Sequence, residues 1–302
     1  MSALTQQAVP LADPERPAPA RNKRPRHIKG TRPGWFVYAC LGVVLAGSLF
    51  PFYWSLLIGS GDSYTIRDPH MSWIPGGNFF ANAAKVMNDP AVNFWPALWN
   101  SIVSSALIAL SVVFFSTLAG WAFAKLKFKG SSWLLVFVIA TMAVPTQLGV
   151  VPLYILFSDM GWTGQLGAII VPALVSAFGV FWMTQYLRQA VPDELIEAAR
   201  VDGASSFRTF LTVGLPAARP AAAMLALFTF VSAWNNFFWP FIVLDRQNPT
   251  LPVALSLLQS NYFVDYSIVL AGVLLATIPL LILFIFAGKQ LVSGIMAGAV
   301  KG

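Results

Sequence analysis

The stretch SIVSSALIALSVVFFSTLAGWAF, residues 101–123, carries no charge over its whole length. At roughly 1.5 Å of rise per helical residue, it is long enough to cross a hydrocarbon core of roughly 30 Å. Its apolar residues do not alternate with polar ones as the strands of a membrane barrel do, so a helix is the structure that satisfies its backbone in lipid. Five more uncharged runs of similar length occupy residues 33–61, 130–158, 160–187, 220–244 and 266–288. The sequence therefore predicts an all-α polytopic membrane protein with six spans. Only Asp159 separates the third run from the fourth, so those two should form a hairpin with a short turn near residues 159–163.

The whole chain agrees with that reading. Of its 302 residues, 57% are hydrophobic and 10% are charged, whereas soluble domains carry about 25% charge. With six spans, sixteen lysines and arginines fall on one side, in the first 32 residues, the loop after span two, the loop 188–219 and the carboxyl end. Only Arg67, Lys85 and Arg246 fall on the other. The positive-inside rule then puts both termini and the loop 188–219 in the cytoplasm. This asymmetry accounts for the net charge of +7. It shows no basic helix face or motif of a nucleic-acid reader, so no nucleic-acid partner is expected. Residues 1–32, with five prolines and few large apolar side chains, read as a disordered basic tail in contact with membrane lipid and not as a cleavable signal peptide. The single cysteine, Cys40, rules out an internal disulfide, and His27 and His70 offer no metal cluster. No catalytic or metal-ligating constellation is found, so the chain is not read as an enzyme.

The loop 188–219 is unusual for a connector. Pro192 suits a first helical position, Asp193 and Glu194 complement the amino-terminal dipole, and Gly203 can take the left-handed geometry that ends a helix. Ser205 or Ser206 can cap a second helix, which Gly214 and Pro216 should close. The expectation is a cytoplasmic helix-turn-helix with apolar residues Leu195, Ile196, Ala198, Ala199, Phe207, Phe210 and Leu211. These faces need cover, either from the chain's own spans or from a partner.

Glu197-Ala198-Ala199, Gly203 four positions on, then Val213, Leu215 and Pro216 resemble the EAA loop of ABC importer permeases, whose pattern is E-A-A-x3-G-x9-I-x-L-P. Val213 in place of isoleucine is the one departure. Asp202-Gly203-Ala204, Trp234-Asn235-Asn236-Phe237 and the final segment 294–302 are similar to maltose-type carbohydrate permeases of the MalG-like kind, with phrases such as residues 145–152 pointing to cellobiose or oligosaccharide importers. The resemblance implies a permease domain over residues 33–293, followed by a cytoplasmic tail, 294–302, that either frays or reaches the ATPase. It also implies a MalF-like second permease, a MalK-like ATPase dimer, an extracytoplasmic sugar-binding protein and a sugar substrate. Glu197, Ala198, Ala199, Asp202, Gly203, Leu215 and Pro216 would form the ATPase-docking loop. The chain itself contains no G-x-x-x-x-G-K-[ST] phosphate loop, so ATP and magnesium would be bound by the ATPase and this chain would hold no cofactor.

Polar and aromatic groups inside apolar runs are the candidates for a solute path, because unpaired polar groups in lipid are costly. Span five offers Trp234, Asn235 and Asn236, and span three offers Thr146, Gln147 and Tyr154. Aromatic faces beside amides suit sugars, which combine hydroxyls with apolar C–H faces. The same residues could instead pack between spans. The other reading of the chain is half of an ion-coupled secondary transporter. Such a carrier needs ionisable groups within its spans, and the six runs contain no Asp, Glu, Lys or Arg.

Overall fold

A computed structural model describes residues 34–64, 66, 72–260 and 263–299, with side chains as far as residue 288. The basic tail, 1–32, and residues 300–302 lie outside the described residues. The described residues form helices and no strand. They fall into two units divided at Leu49 and Phe50, within the first helix, α1 (Trp35–Gly59). The first unit is the opening part of that helix, and its large side chains, Trp35 and Val43 among them, are exposed.

The second unit is built around α3 (Phe94–Lys125), which carries the uncharged run quoted above and continues beyond both of its ends. It packs along α7 (Ala177–Ala190) and α10 (Leu215–Trp234). Small residues let α3 and α7 approach closely. A Cβ on Gly120 would stand 2.6 Å from the Met183 Cβ, and one on Gly179 would stand 2.3 Å from the Ser116 Oγ. In lipid, where helix association depends on close packing, such positions set the geometry of the bundle. The last span opens α13 (Tyr266–Ala299), so residues 294–299 of the expected tail continue the helix. Gly59 of α1 sits against the Ala271 backbone of α13.

Among the described residues, five helices are long and apolar enough to cross a membrane, or six if one bent pair counts as a single span. That pair corrects the reading of residues 130–158 as one uninterrupted span. The run breaks into α4 (Ser131–Thr141) and α5 (Val150–Asp159), bent by 84°. Pro145 lacks an N–H and disfavours helix at Val144, so the chain crosses the gap in a 3-10 turn at Thr146–Gly149. The expected hairpin turn is present: Gly161 and Gly164 both take positive φ before α6 (Gly167–Ile170).

A second correction concerns residues 220–244. Helix α10 stops at Trp234 and the chain restarts as α11 (Phe238–Val243), so Asn235 and Asn236 lie at a helix end and not within a long span. Two short helices the hydropathy pattern did not single out, α2 (Phe79–Asn88) and α12 (Leu251–Ser256), pack against α3 and α13. Buried polar groups fasten this end of the bundle. Asn82 Nδ2 donates to the Gly59 and Gly61 carbonyls at 3.0 and 2.9 Å, and Ser101 Oγ accepts from the Leu251 N–H at 2.7 Å.

Candidate solute cavity and docking loop

The loop between α7 and α10 begins with α8 (Asp193–Val201). Pro192 has extended backbone and precedes the helix as its N-cap, one position earlier than expected. Gly203 takes φ +75. Its N–H donates to Arg200 O at 3.0 Å, and the Ala204 N–H donates to Ala199 O at 2.9 Å. This is the paired carbonyl capping of a Schellman turn, the geometry that favours glycine there. Ser205 caps α9 (Ser206–Thr209) through a bond from the Arg208 N–H at 3.3 Å. Asp202 is exposed.

The expected stop at Gly214 and Pro216 is absent. Residues Phe210–Gly214 form a π-helical turn that leads straight into α10, with Pro216 in its first turn. The Leu215 N–H donates back to Phe210 O, the wider bonding of a π turn, and Pro216, which has no N–H to donate, follows directly on it. The loop and span five are therefore one continuous element.

The apolar residues of the loop divide into two sets. Ile196 and Phe210 are buried in a cluster with Trp121, Leu187 and Val191, so the spans themselves anchor the loop. Leu195, Val201, Phe207 and Leu211 remain exposed, Val201 at 88%. Glu197 and Ala198 are exposed too, Ala199 is half-buried, and Leu215 and Pro216 are exposed. One ion pair ties the loop to the bundle: Lys125 Nζ, at the end of α3, lies 2.8 Å from Asp193 Oδ1. The hydrogen bond and charge of Lys125 hold the Asp193 carboxyl below its ordinary pKa.

A cavity of about 830 Å³ lies between α3, the α4–α5 break, the start of α7 and the end of α10. Thr229, Ser232 and Asn236 line it at helical spacing. Thr141, Thr146 and Ser176 add hydroxyls from the facing elements, and Phe178 and Phe228 add exposed rings. None of its lining residues is charged.

Of the sequence candidates, Thr146 and Asn236 line this cavity. Trp234 is 3% exposed, belongs to the core cluster with Val86, Phe94 and Leu251, and stacks on Phe230 with ring centroids 5.9 Å apart. Asn235 borders a different cavity and donates to Val231 O at 2.9 Å. Gln147 and Tyr154 are exposed and lie outside the lining. Sequence reasoning missed Phe178, Phe228, Thr229 and Ser232. The signal was the recurrence of polar side chains at 229, 232 and 236, one stripe of a helix, which a search for tryptophans and amides passes over.

A family model described as "Binding-protein-dependent transport system inner membrane component" matches residues 113–293. The arabinooligosaccharides transport system permease protein AraQ of Halalkalibacterium halodurans is 35% identical over 69% of this chain and 75% of its own length. The trehalose/maltose transport system permease protein MalG of Thermococcus litoralis is 31% identical over 84% of this chain and 92% of its own. The lactose transport system permease protein LacG of Rhizobium radiobacter is 31% identical over 87% and 95%. Among solved structures, a chain of a bacterial ABC transporter involved in import of the acidic polysaccharide alginate superposes with TM-score 0.71 at 22% identity, over 85% of this chain and 95% of that one. That likeness is one of fold.

Proposed function

The chain belongs to the family of binding-protein-dependent transport system inner membrane components, and from that premise we propose that it forms one half of a sugar path driven by a separate ATPase. The family makes it a multi-pass membrane subunit and not itself an enzyme. The carried substance is proposed to be a di- or oligosaccharide, delivered by an extracytoplasmic binding protein and passed between this chain and a second permease. The names of the relatives support this, since AraQ, MalG and LacG are all sugar permeases by name. The charge asymmetry supports cytoplasmic termini and a cytoplasmic loop 188–219.

The observation that carries the mechanism is the division of the docking loop. Its inner face is fixed to α3 and α7, while Leu195, Val201 and Phe207 stand exposed, as does Glu197. In this reading the ATPase covers the outer face, and Glu197 supplies a carboxylate for a charge-assisted bond. Because α9, the π turn and α10 are continuous, a displacement of the loop reaches the polar stripe at Thr229, Ser232 and Asn236 through one helix. Phe178 and Phe228 suit the C–H faces of a pyranose, and the hydroxyls and amide suit its hydroxyl groups. ATP and magnesium belong to the ATPase.

Purification of the tagged chain from its own host tests the reading. An ATPase, a second permease and ATP-dependent sugar uptake by the reconstituted assembly are the expected results. A chain that purifies alone and transports alone in an ion gradient overturns it.

A further inference from the structure

A second cavity, of about 480 Å³, lies between α3, α10 and α13, away from the polar stripe. Its lining is apolar throughout, with Ala106 and Ala109 of α3, Ala223, Ala226 and Phe230 of α10, and Phe286 of α13 among the residues. Alanines on two facing helices leave a slot with no side chain to fill it. The same face of α10 carries Arg219 one turn earlier, since residues 219, 223, 226 and 230 follow the three- and four-residue spacing of one helix face. Helical rise places the slot roughly 6 to 16 Å further along the axis than Arg219. Arg219 is exposed, and its side chain has no ion pair among the described residues.

A cation at one end of a wholly apolar slot complements an amphiphile with an anionic head and an alkyl chain. We propose that this slot holds an acyl chain of an anionic phospholipid whose phosphate sits on Arg219. Guanidinium binds phosphate through two parallel N–H bonds, and basic positions between spans at a membrane surface are suited to anionic headgroups. A transmembrane helix of another subunit could fill the slot, but its apolar face would leave the Arg219 charge unanswered. The inference does not depend on what the larger cavity carries.

Native mass spectrometry of the assembled complex, in mild detergent with an equimolar mixture of phosphatidylglycerol and phosphatidylethanolamine, tests it. The wild type should retain phosphatidylglycerol in preference. Arg219→Gln should lower that retention roughly tenfold through loss of a charge-assisted bond, and Arg219→Lys should keep most of it. Ala226→Phe, which fills the slot, should remove both lipids. Should that variant fail to assemble, Ala109→Leu tests the same space from the facing helix. Equal retention by wild type and Arg219→Gln overturns the proposal, as does a wild type without preference between the two lipids. A disulfide between Ala226→Cys and a cysteine on the partner permease would show a helix in the slot, and would overturn it as well.

Discussion

The indole of Trp121 on α3 occupies the space in which a side chain at residue 214 would begin. A Cβ built on Gly214 stands 2.6 Å from Trp121 Cε3, with the Phe210 ring centroid 5.9 Å from that of Trp121. The ring thus locks the π turn between the docking loop and α10 onto the central span. Gly214→Ala should force the ring aside at a cost of about 1 to 3 kcal/mol, because Trp121 is 3% exposed and closely packed. The indole N–H has no hydrogen-bond partner to lose, so Trp121→Leu in the same chain should recover part of the stability. Thermal melting of the single and double variants checks this; additive losses would contradict the contact.

The Lys125–Asp193 pair gives the loop a dependence on pH. Lys125 holds the Asp193 carboxyl below its ordinary value, so the pair is at full strength above the ordinary Asp pKa of about 3.9 and is lost as pH falls through the lowered one. Hydrogen exchange of the α8 amides should stay slow on acidification until below that ordinary value, then rise. In Asp193→Asn it should be faster at neutral pH and show no such rise.

Gly203 has open space around it, so a side chain there meets only backbone strain. Gly203→Val should cost about 1 to 3 kcal/mol in the loop while membrane insertion stays normal. Glu197→Lys, on the exposed face, should leave melting unchanged and weaken association with the ATPase. Pull-down and melting on the same samples check both; full association by both variants would remove the loop from the docking surface.

Trp234 and Asn236 are two residues apart and should behave in opposite ways. Trp234→Ala empties a core position and should destabilise by about 3 to 5 kcal/mol, with reduced yield in the membrane. Asn236→Leu should leave melting near that of the wild type and slow uptake, because its side chain lines the polar cavity. Uptake and melting measured together distinguish these outcomes.

Hydropathy made the helical class and most span positions legible, because a bilayer requires long uncharged helices and little else produces such runs. The cap at Gly203 was legible for a similar reason: a glycine at that distance beyond an apolar helix has few other uses. The break in residues 130–158 was less visible, since Pro145 and Pro152 are both prolines within one run and only Pro145 interrupts it. A π turn accommodates a following proline that an unbroken α-helix would not, which is why Pro216 misled. The cavity was legible at Thr146 and Asn236 but not at Trp234, because burial of Trp234 depends on α2, α12 and α13 meeting it from distant parts of the sequence.

The most direct test of the account is solute uptake by proteoliposomes holding the complete complex, with ATP supplied on the side of the docking loop and loaded binding protein on the other. Uptake that requires both, and that an imposed proton or sodium gradient cannot replace, is the predicted result. Gradient-driven uptake by this chain without ATP or ATPase would contradict it.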